Sequence, residues 1–249
     1  MKVICVIPAR YSSTRLPGKP LALIGGKPMI EHVYNQARKA TRPAKVIVAT
    51  DHELVAGAVR AFGGEVMLTS PGHPTGTDRL AEVASFYQDA DLIINIQGDE
   101  PFIAPEVIDA LAAAFDIEPG LNMATLMTEM DAAEYQLPSA VKVVTDLNGY
   151  ALCFSRSLVP YPRVEPVAKK VYKHIGVYAY RREFLRLFAS LSPTPWEMTE
   201  SLEQLRALEH GYKIKVIETS FQSIGVDTPA DLAKANEYYQ NLQEGGKCK

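Results

Sequence analysis

From position 8 to position 20 the chain reads Pro-Ala-Arg-Tyr-Ser-Ser-Thr-Arg-Leu-Pro-Gly-Lys-Pro, which places Arg10, Arg15 and Lys19 in one short, turn-rich loop with three hydroxyl residues. Cations and backbone N–H groups converging in such a loop can hold a triphosphate. It is not a Walker A loop: Gly18-Lys19 is followed by Pro20, so the magnesium-binding Ser or Thr is missing. A solvated basic turn would carry the same residues.

Two carboxylates add to the picture. The apolar run Leu92–Ile96 leads into Gln97-Gly-Asp-Glu-Pro101, so Asp99 sits just past a predicted strand, where rigid oxygen ligands suit a hard divalent cation. Asp227, in Gly225-Val-Asp-Thr-Pro229, precedes a predicted helix. Each has an ordinary alternative, as a turn residue for Asp99 or as a helix cap for Asp227.

The elements that must position these residues alternate regularly in the first half. Val3–Ile7, Lys45–Ala49, Val66–Leu68 and Asp91–Ile96 are predicted strands. Helices are predicted from Pro28 to Ala37, Glu53 to Phe62, Thr77 to Tyr87 and Pro105 to Phe115. That alternation predicts an α/β fold with a mostly parallel, doubly wound sheet, whose ligands lie beyond the carboxyl ends of the strands. Three polar segments fall at those ends: 9–19, 71–79 and 97–101. The second half is less regular, with strands predicted at Val141–Thr145, Ala151–Phe154, His174–Ala179 and Ile214–Ile217. Helices are predicted at Thr199–His210 and Pro229–Leu242, a Pro-rich surface loop over 159–171, and a frayed tail over 244–249.

Composition narrows the class. A net charge of -3 over 249 residues argues against a general nucleic-acid binder. No apolar stretch reaches the roughly 20 residues that span a bilayer. Cys5, Cys153 and Cys248 are odd in number without metal-type spacing, and Met1-Lys2 runs into a strand without a signal-peptide pattern. These features predict a cytoplasmic protein with no membrane partner.

Four segments carry a resemblance: Ile7-Pro-Ala-Arg-Tyr-Ser-Ser-Thr-Arg-Leu-Pro-Gly-Lys-Pro20, Val48-Ala-Thr-Asp51, Gln97-Gly-Asp-Glu-Pro101 and Gly225-Val-Asp-Thr-Pro229. Ala140-Val-Lys-Val143, Phe154-Ser-Arg156, Lys173-His-Ile-Gly-Val-Tyr178 and Leu202-Glu-Gln-Leu-Arg206 extend it over nearly the whole chain. Together they resemble the 3-deoxy-manno-octulosonate cytidylyltransferases.

The resemblance implies a nucleotide-diphospho-sugar transferase-like, Rossmann-like fold with a smaller mixed αβ substrate and dimerisation part. It implies a single α/β domain over 1–249, with 1–130 mainly nucleotide-binding, 131–225 mainly sugar-binding and dimerising, and 226–249 supplying a metal ligand and a helix. The implied reaction joins CMP from CTP to the anomeric 2-hydroxyl of 3-deoxy-manno-octulosonate, an acidic eight-carbon sugar thereby activated for lipopolysaccharide synthesis, with Mg2+ as cofactor and a homodimer as the assembly. Arg10, Lys19, Asp99 and Asp227 match the catalytic positions, and the last two the metal ligands. Ala9, Arg10, Ser13, Arg15, Lys19, Thr75, Gly76, Thr77, Arg79 and Gln97 match the nucleotide site. Arg156, His174, Tyr178, Glu203 and Gln204 fall where the family contacts the sugar.

Three positions depart from the family pattern: Gln136-Leu-Pro-Ser139 replaces an Asn-Pro-Asn type turn, Thr75 stands where Ser is frequent and Asp78 where Glu is. They bear on substrate detail and not on the reaction; an 8-amino octulosonate or a sialic acid are the alternative acceptors, over which the Gly225-Val-Asp-Thr-Pro229 match favours the ordinary octulosonate. A non-catalytic nucleotide-binding module would be expected to have lost a metal ligand or phosphate cation, and none is lost. A glycosyltransferase would be expected to show an Asp-x-Asp motif, which Gln97-Gly-Asp99 does not supply.

Overall fold

The computed structural model describes residues 1–163 and 170–245. Part of the loop expected over 159–171, part of the expected tail, and Cys248 lie outside the described residues. The chain divides into two compact units, one formed by residues 1–109 together with the segment from Ser223 onward, the other by Ala110–Gln222.

The first unit begins with β1 (Val3–Pro8), whose five residues Val3–Ile7 are all buried. A continuous apolar run of this kind suits a parallel strand covered on both faces. β2 (Leu23–Ile24) and β3 (Lys27–Pro28) form a small hairpin. Its Gly25 has φ 56°, and a Cβ there would lie 2.1 Å from the Tyr239 ring, so only glycine fits. Pro28 caps α1 (Met29–Ala37) from outside its first turn. β4 (Pro43–Thr50), α2 (Glu53–Ala61), β5 (Glu65–Leu68), α3 (Gly76–Phe86) and β6 (Leu92–Asn95) follow, and α4 (Pro105–Ile117) begins in this unit and ends in the second.

The strands lie in the order β6–β1–β4–β5 and every pairing is parallel, with Cys5 beside both Val46 and Ile94 and Ala49 beside Met67. The order therefore reverses at β1, which has β6 on one side and β4 on the other. Parallel α/β sheets open a ligand crevice at such a reversal, beyond the carboxyl ends of the strands.

The second unit is mixed, as the sequence leads one to expect. It contains β7 (Met123–Glu129), β8 (Lys142–Thr145), β9 (Ala151–Ser155), β10 (Tyr172–Arg181), α5 (Arg182–Ser190), α6 (Pro195–Glu200), α7 (Gln204–Glu209) and β11 (Lys215–Glu218). β10 runs antiparallel to β7 and β8, β8 antiparallel to β9, and β11 parallel to β7. A register shift between Ile175 and Tyr178 marks a bulge in β10. The helix expected over 199–210 is instead two short helices. Ser201, in the left-handed region at φ 51°, ends the first, and Leu202 N–H closes back on the Glu197 carbonyl at 3.1 Å.

The segment from Ser223 onward ends in α8 (Pro229–Gly245). Val226 and Ala235 join Leu16, Ile24 and Met29 in a separate small core, flanked by Phe102, Leu232 and Tyr239. That core anchors the first loop, the hairpin and the Asp227 turn to one another.

Candidate active site

β1 ends at Pro8, and its pairing with β4 continues one residue further through Ala9 N–H to Ala49 O at 2.8 Å. The loop then turns outward and walls a cleft of about 380 Å³. Pro8–Arg10, Ser12–Arg15, Lys19-Pro20, Gly76 and Gln97–Asp99 line it. The volume suits a small-molecule ligand. Gly98 must be glycine here, because a Cβ would sit 2.8 Å from the Pro8 carbonyl oxygen. This close passage brings the Asp99 turn over the end of β1.

Lys19 lies at the centre of the charges. Its Nζ donates to Asp99 Oδ2 at 2.5 Å and to Asp227 Oδ1 at 3.0 Å, and Arg15 Nη2 lies 3.2 Å from the same Asp227 oxygen. Burial pulls the Lys19 pKa down, but the charge and hydrogen bond of Asp99, joined by those of Asp227, outweigh it and leave it raised. The ammonium therefore stays charged. A backbone hydrogen bond from Val226 N–H to Asp99 O, at 2.9 Å, ties the two carboxylate turns together.

Asp227 is not the cap of α8. Thr228 and Asp231 cap α8 instead, with Thr228 N–H donating to Asp231 Oδ2 at 3.0 Å and Asp231 N–H to Thr228 Oγ1 at 3.2 Å. Asp227 is thereby free to face the cations. Among the described residues no group of three His, Cys, Asp or Glu forms a ready metal cage. Two carboxylates on one centre nevertheless fit magnesium, which is usually held by one or two carboxylates together with substrate phosphates and water.

The remaining residues of the expected nucleotide set are distributed as follows. Arg10 Nη2 donates to the His73 carbonyl at 2.7 Å. Ser13 Oγ accepts from Leu16 N–H at 3.4 Å, within the loop. Thr75 caps α3 in a reciprocal pair with Asp78, which sets Gly76 at the cleft wall. Thr77 and Arg79 are not brought to the cleft, since both are buried. The Arg79 guanidinium bonds Asp51 Oδ2 at 3.0 Å and also Thr69 Oγ1, and burial lowers its pKa. Asp51 in turn accepts from Tyr11 N–H at 3.4 Å. Its signal was legible, because like Asp99 it is a carboxylate just past a strand end.

In the second unit, His174, Tyr178 and Glu203 form a cluster. The His174 ring is 5.0 Å from Phe154 and 5.4 Å from Tyr178, and its Nε2 is 2.9 Å from Thr125 Oγ1. Burial pushes the imidazole down to about 3, so it is neutral at ordinary pH. Burial, then the nearby Glu203 charge, pushes the Tyr178 phenol up. Gln204 is buried at the start of α7. Arg156 is tied to backbone: Nε donates to Glu200 O at 2.6 Å, Nη1 to Pro138 O at 3.0 Å and Nη2 to Ser201 O at 3.3 Å. Among the described residues these contacts engage three of the five guanidinium N–H groups and leave two for a ligand. Composition and spacing gave no sign of the fully buried Lys142, whose Nζ donates to Leu137 O at 2.8 Å and Arg156 O at 3.0 Å.

A family model described as cytidylyltransferase matches residues 4–214. The 3-deoxy-manno-octulosonate cytidylyltransferase of Geobacter metallireducens is 52% identical, over 98% of this chain and 100% of that protein. The chain belongs to the 3-deoxy-manno-octulosonate cytidylyltransferase family. A more distant cytidylyltransferase of this group, from Acaryochloris marina, is 46% identical over 96% of this chain and 98% of that one. Among solved structures, a CMP:2-keto-3-deoxy-manno-octonic acid synthetase complexed with CTP superimposes with a TM-score of 0.93. It is 46% identical and covers 97% of this chain and 100% of that one. A 4-diphosphocytidyl-2C-methyl-D-erythritol synthase from Anaerococcus prevotii, 16% identical with a TM-score of 0.64, shares the fold alone.

Proposed function

We propose that the protein transfers the cytidylyl group of CTP to the anomeric 2-hydroxyl of 3-deoxy-manno-octulosonate, releasing pyrophosphate. The observation that carries this reading is the Lys19–Asp99–Asp227 cluster at the sheet's reversal point, in a chain of this family. In the reaction a bond forms between the sugar's 2-oxygen and the α-phosphorus. The bond from the α-phosphorus to the bridging oxygen breaks, pyrophosphate leaves with its electron pair, and the hydroxyl proton is released to solvent.

The chain's own residues supply position and charge. Arg10, Arg15 and Lys19 surround the cleft as cations and offset the charge that grows on the departing pyrophosphate. Ala9, Ser13, Thr75, Gly76, Thr77, Arg79 and Gln97 complete the proposed nucleotide site, with Thr77 and Arg79 acting from within the fold. Magnesium would be held by Asp99 and Asp227 and, when bound, would neutralise phosphate oxygens and acidify the attacking hydroxyl. Attack is direct, so no nucleophilic side chain is required.

For the sugar, the reading assigns Arg156, His174, Tyr178, Glu203 and Gln204 of the second unit. The neutral His174 suits hydrogen bonding to sugar hydroxyls, and the two remaining Arg156 N–H groups suit the sugar carboxylate. We further assign a homodimer, a cytoplasmic location and a role in activating the sugar for lipopolysaccharide. No helix among the described residues is long and apolar enough to cross a membrane.

The test is pyrophosphate release from CTP and magnesium, with octulosonate, its 8-amino analogue and sialic acid in parallel. Release with octulosonate, abolished by EDTA, is the expected result. Preference for another sugar would move the specificity, and no release with any of them from folded protein would overturn the reading.

A further inference from the structure

Arg10 is held differently from its neighbours. Lys19 and Arg15 bond carboxylates, whereas the Arg10 guanidinium donates to a backbone carbonyl, that of His73, at 2.7 Å. Among the described residues it has no carboxylate partner. A cation oriented by a neutral oxygen keeps its full charge for an anionic ligand. The orientation is then only as firm as the loop that presents the carbonyl.

That loop, from Ser70 to Thr75, is fastened by one side chain of α3. Glu82 Oε2 accepts from Ser70 N–H at 2.9 Å and is also hydrogen-bonded to His73 Nε2. The same oxygen thus grips both ends of the Ser70–His73 turn, which Gly72 N–H tightens through Ser70 Oγ at 3.1 Å. Both side chains are mostly buried, His73 at 21% exposure and Glu82 at 27%. Burial raises the Glu82 carboxyl, but His73 and the Ser70 N–H outweigh it and hold it below its ordinary value. One turn earlier on α3, Arg79 holds Asp51, which accepts from Tyr11 N–H. The helix therefore fixes the backbone beside Arg10 through Asp51, and the Arg10 side chain through Glu82 and His73.

We propose that Glu82 and His73 are a positioning pair that sets the Arg10 guanidinium for the CTP triphosphate while touching no substrate themselves. The proposal rests on the cytidylyl-transfer reading, and neither residue belongs to the expected nucleotide set. A clasp serving stability alone would make the same hydrogen bonds, so the test must pass through Arg10.

The experiment measures pyrophosphate release for wild type, Glu82→Ala, Glu82→Gln, His73→Ala and Arg10→Ala, and for Glu82→Ala and His73→Ala each combined with Arg10→Ala. Circular dichroism and thermal melting report the fold of each variant. Glu82→Ala is expected to lower kcat/KM for CTP by about tenfold, the coupling typical within one hydrogen-bond network, and to leave KM for octulosonate unchanged. Glu82→Gln, which keeps an acceptor for Ser70 and His73, should recover most of the loss. In the Arg10→Ala background the same Glu82 substitution should cost less than about twofold, because its effect runs through the missing guanidinium. If Glu82→Ala fails to fold, His73→Ala carries the same cycle.

Normal kcat/KM for CTP in the single variants would overturn the proposal. So would an equal loss in the Arg10→Ala background, or a rise in KM for both substrates together. Wild-type protein that releases no pyrophosphate would instead overturn the functional reading itself. Active wild type with an unimpaired Arg10→Ala variant would leave that reading standing and remove the positioning role.

Discussion

Replacing Lys19 with methionine keeps the side-chain length and removes the charge, and the structure sets the size of the consequence. Lys19 Nζ is 2.5 Å from Asp99 Oδ2 and 3.0 Å from Asp227 Oδ1, so those oxygens are separated by no more than the two lengths end to end. Unscreened by the ammonium, two unit charges at that limit repel by about 3 kcal/mol at an effective dielectric of 20 and by less than about 1 kcal/mol in water. Side-chain exposures of 27% for Asp99 and 43% for Asp227 pull the value towards water. A loss of about 1 kcal/mol is expected, or roughly 2–4 °C in melting temperature for a chain this long.

The assay is thermal melting in EDTA and over a magnesium titration. Lys19→Met should melt lower in EDTA and gain more from magnesium than wild type does, because the divalent cation takes over the neutralisation. Its kcat/KM for CTP should fall by roughly tenfold to a hundredfold, since a charged hydrogen bond to phosphate is lost. The sign with pH also follows. Lys19 is raised above its ordinary 10.5, so its stabilising contribution is complete below that value and is lost as pH rises through the folded pKa. The difference between the two proteins should therefore be constant near neutrality and shrink only in strong alkali. An unchanged melting temperature in EDTA together with an unchanged magnesium response would refute the reasoning.

Three further outcomes are expected. Asp99→Asn should lower kcat by about a hundredfold or more with an unaltered circular dichroism spectrum; near-normal turnover would strike Asp99 from the metal set. His174→Gln bears on acid stability: the native imidazole, at about 3 against an ordinary 6.5, binds fewer protons than the unfolded chain between those values, so wild type loses stability as pH falls through that window. Its advantage over the non-titrating glutamine variant in urea unfolding should shrink from about pH 7 to about pH 4.5, and a constant difference would contradict the burial argument. Arg206→Leu removes the cation from Glu197, which bonds Arg206 Nε at 2.8 Å and Nη2 at 2.5 Å in a mostly buried pair and also accepts from Thr194 N–H at 3.1 Å. It should cost about 3 kcal/mol or more in denaturant unfolding, while replacing both partners with leucine should recover much of that.

Apart from the β2–β3 hairpin, which was not expected, the first unit was legible because its signals are local. A buried run such as Val3–Ile7 and an amphipathic run such as Met29–Ala37 announce a strand and a helix through their own residues. β7 was not legible, since Met123-Ala-Thr-Leu-Met-Thr-Glu129 mixes two threonines and an alanine into a strand whose first six residues are all buried. α5 was also missed, although Phe184, Leu185 and Phe188 share its buried face. The break at Ser201 depends on a left-handed residue that no composition rule assigns to serine. In the site, Lys19, Asp99 and Asp227 could be named from strand ends and family motifs, yet their convergence on one nitrogen is a tertiary fact. Lys142, quoted only within a family segment, and Glu82 had no role assigned for the complementary reason: Lys142 acts on backbone carbonyls and Glu82 on Ser70 N–H and the His73 ring, and the sequence does not say which groups will face them.

The backbone bond between the Val226 and Asp99 turns also governs when the protein acquires its chemistry. Lys19 and Asp227 are 208 positions apart, with the whole second unit made between them. During synthesis the parallel sheet and its basic loop emerge first, and chains generally begin folding from that end. A nascent chain at that stage presents cations and Asp99 but not the partner carboxylate. Closing so long a loop costs only logarithmically more than closing a short one, so late arrival of Val226 and Asp227 is thermodynamically tolerable. Any chain ending within the second unit would be left with an uncompleted charge cluster, so the site is finished only after its insertion has been made.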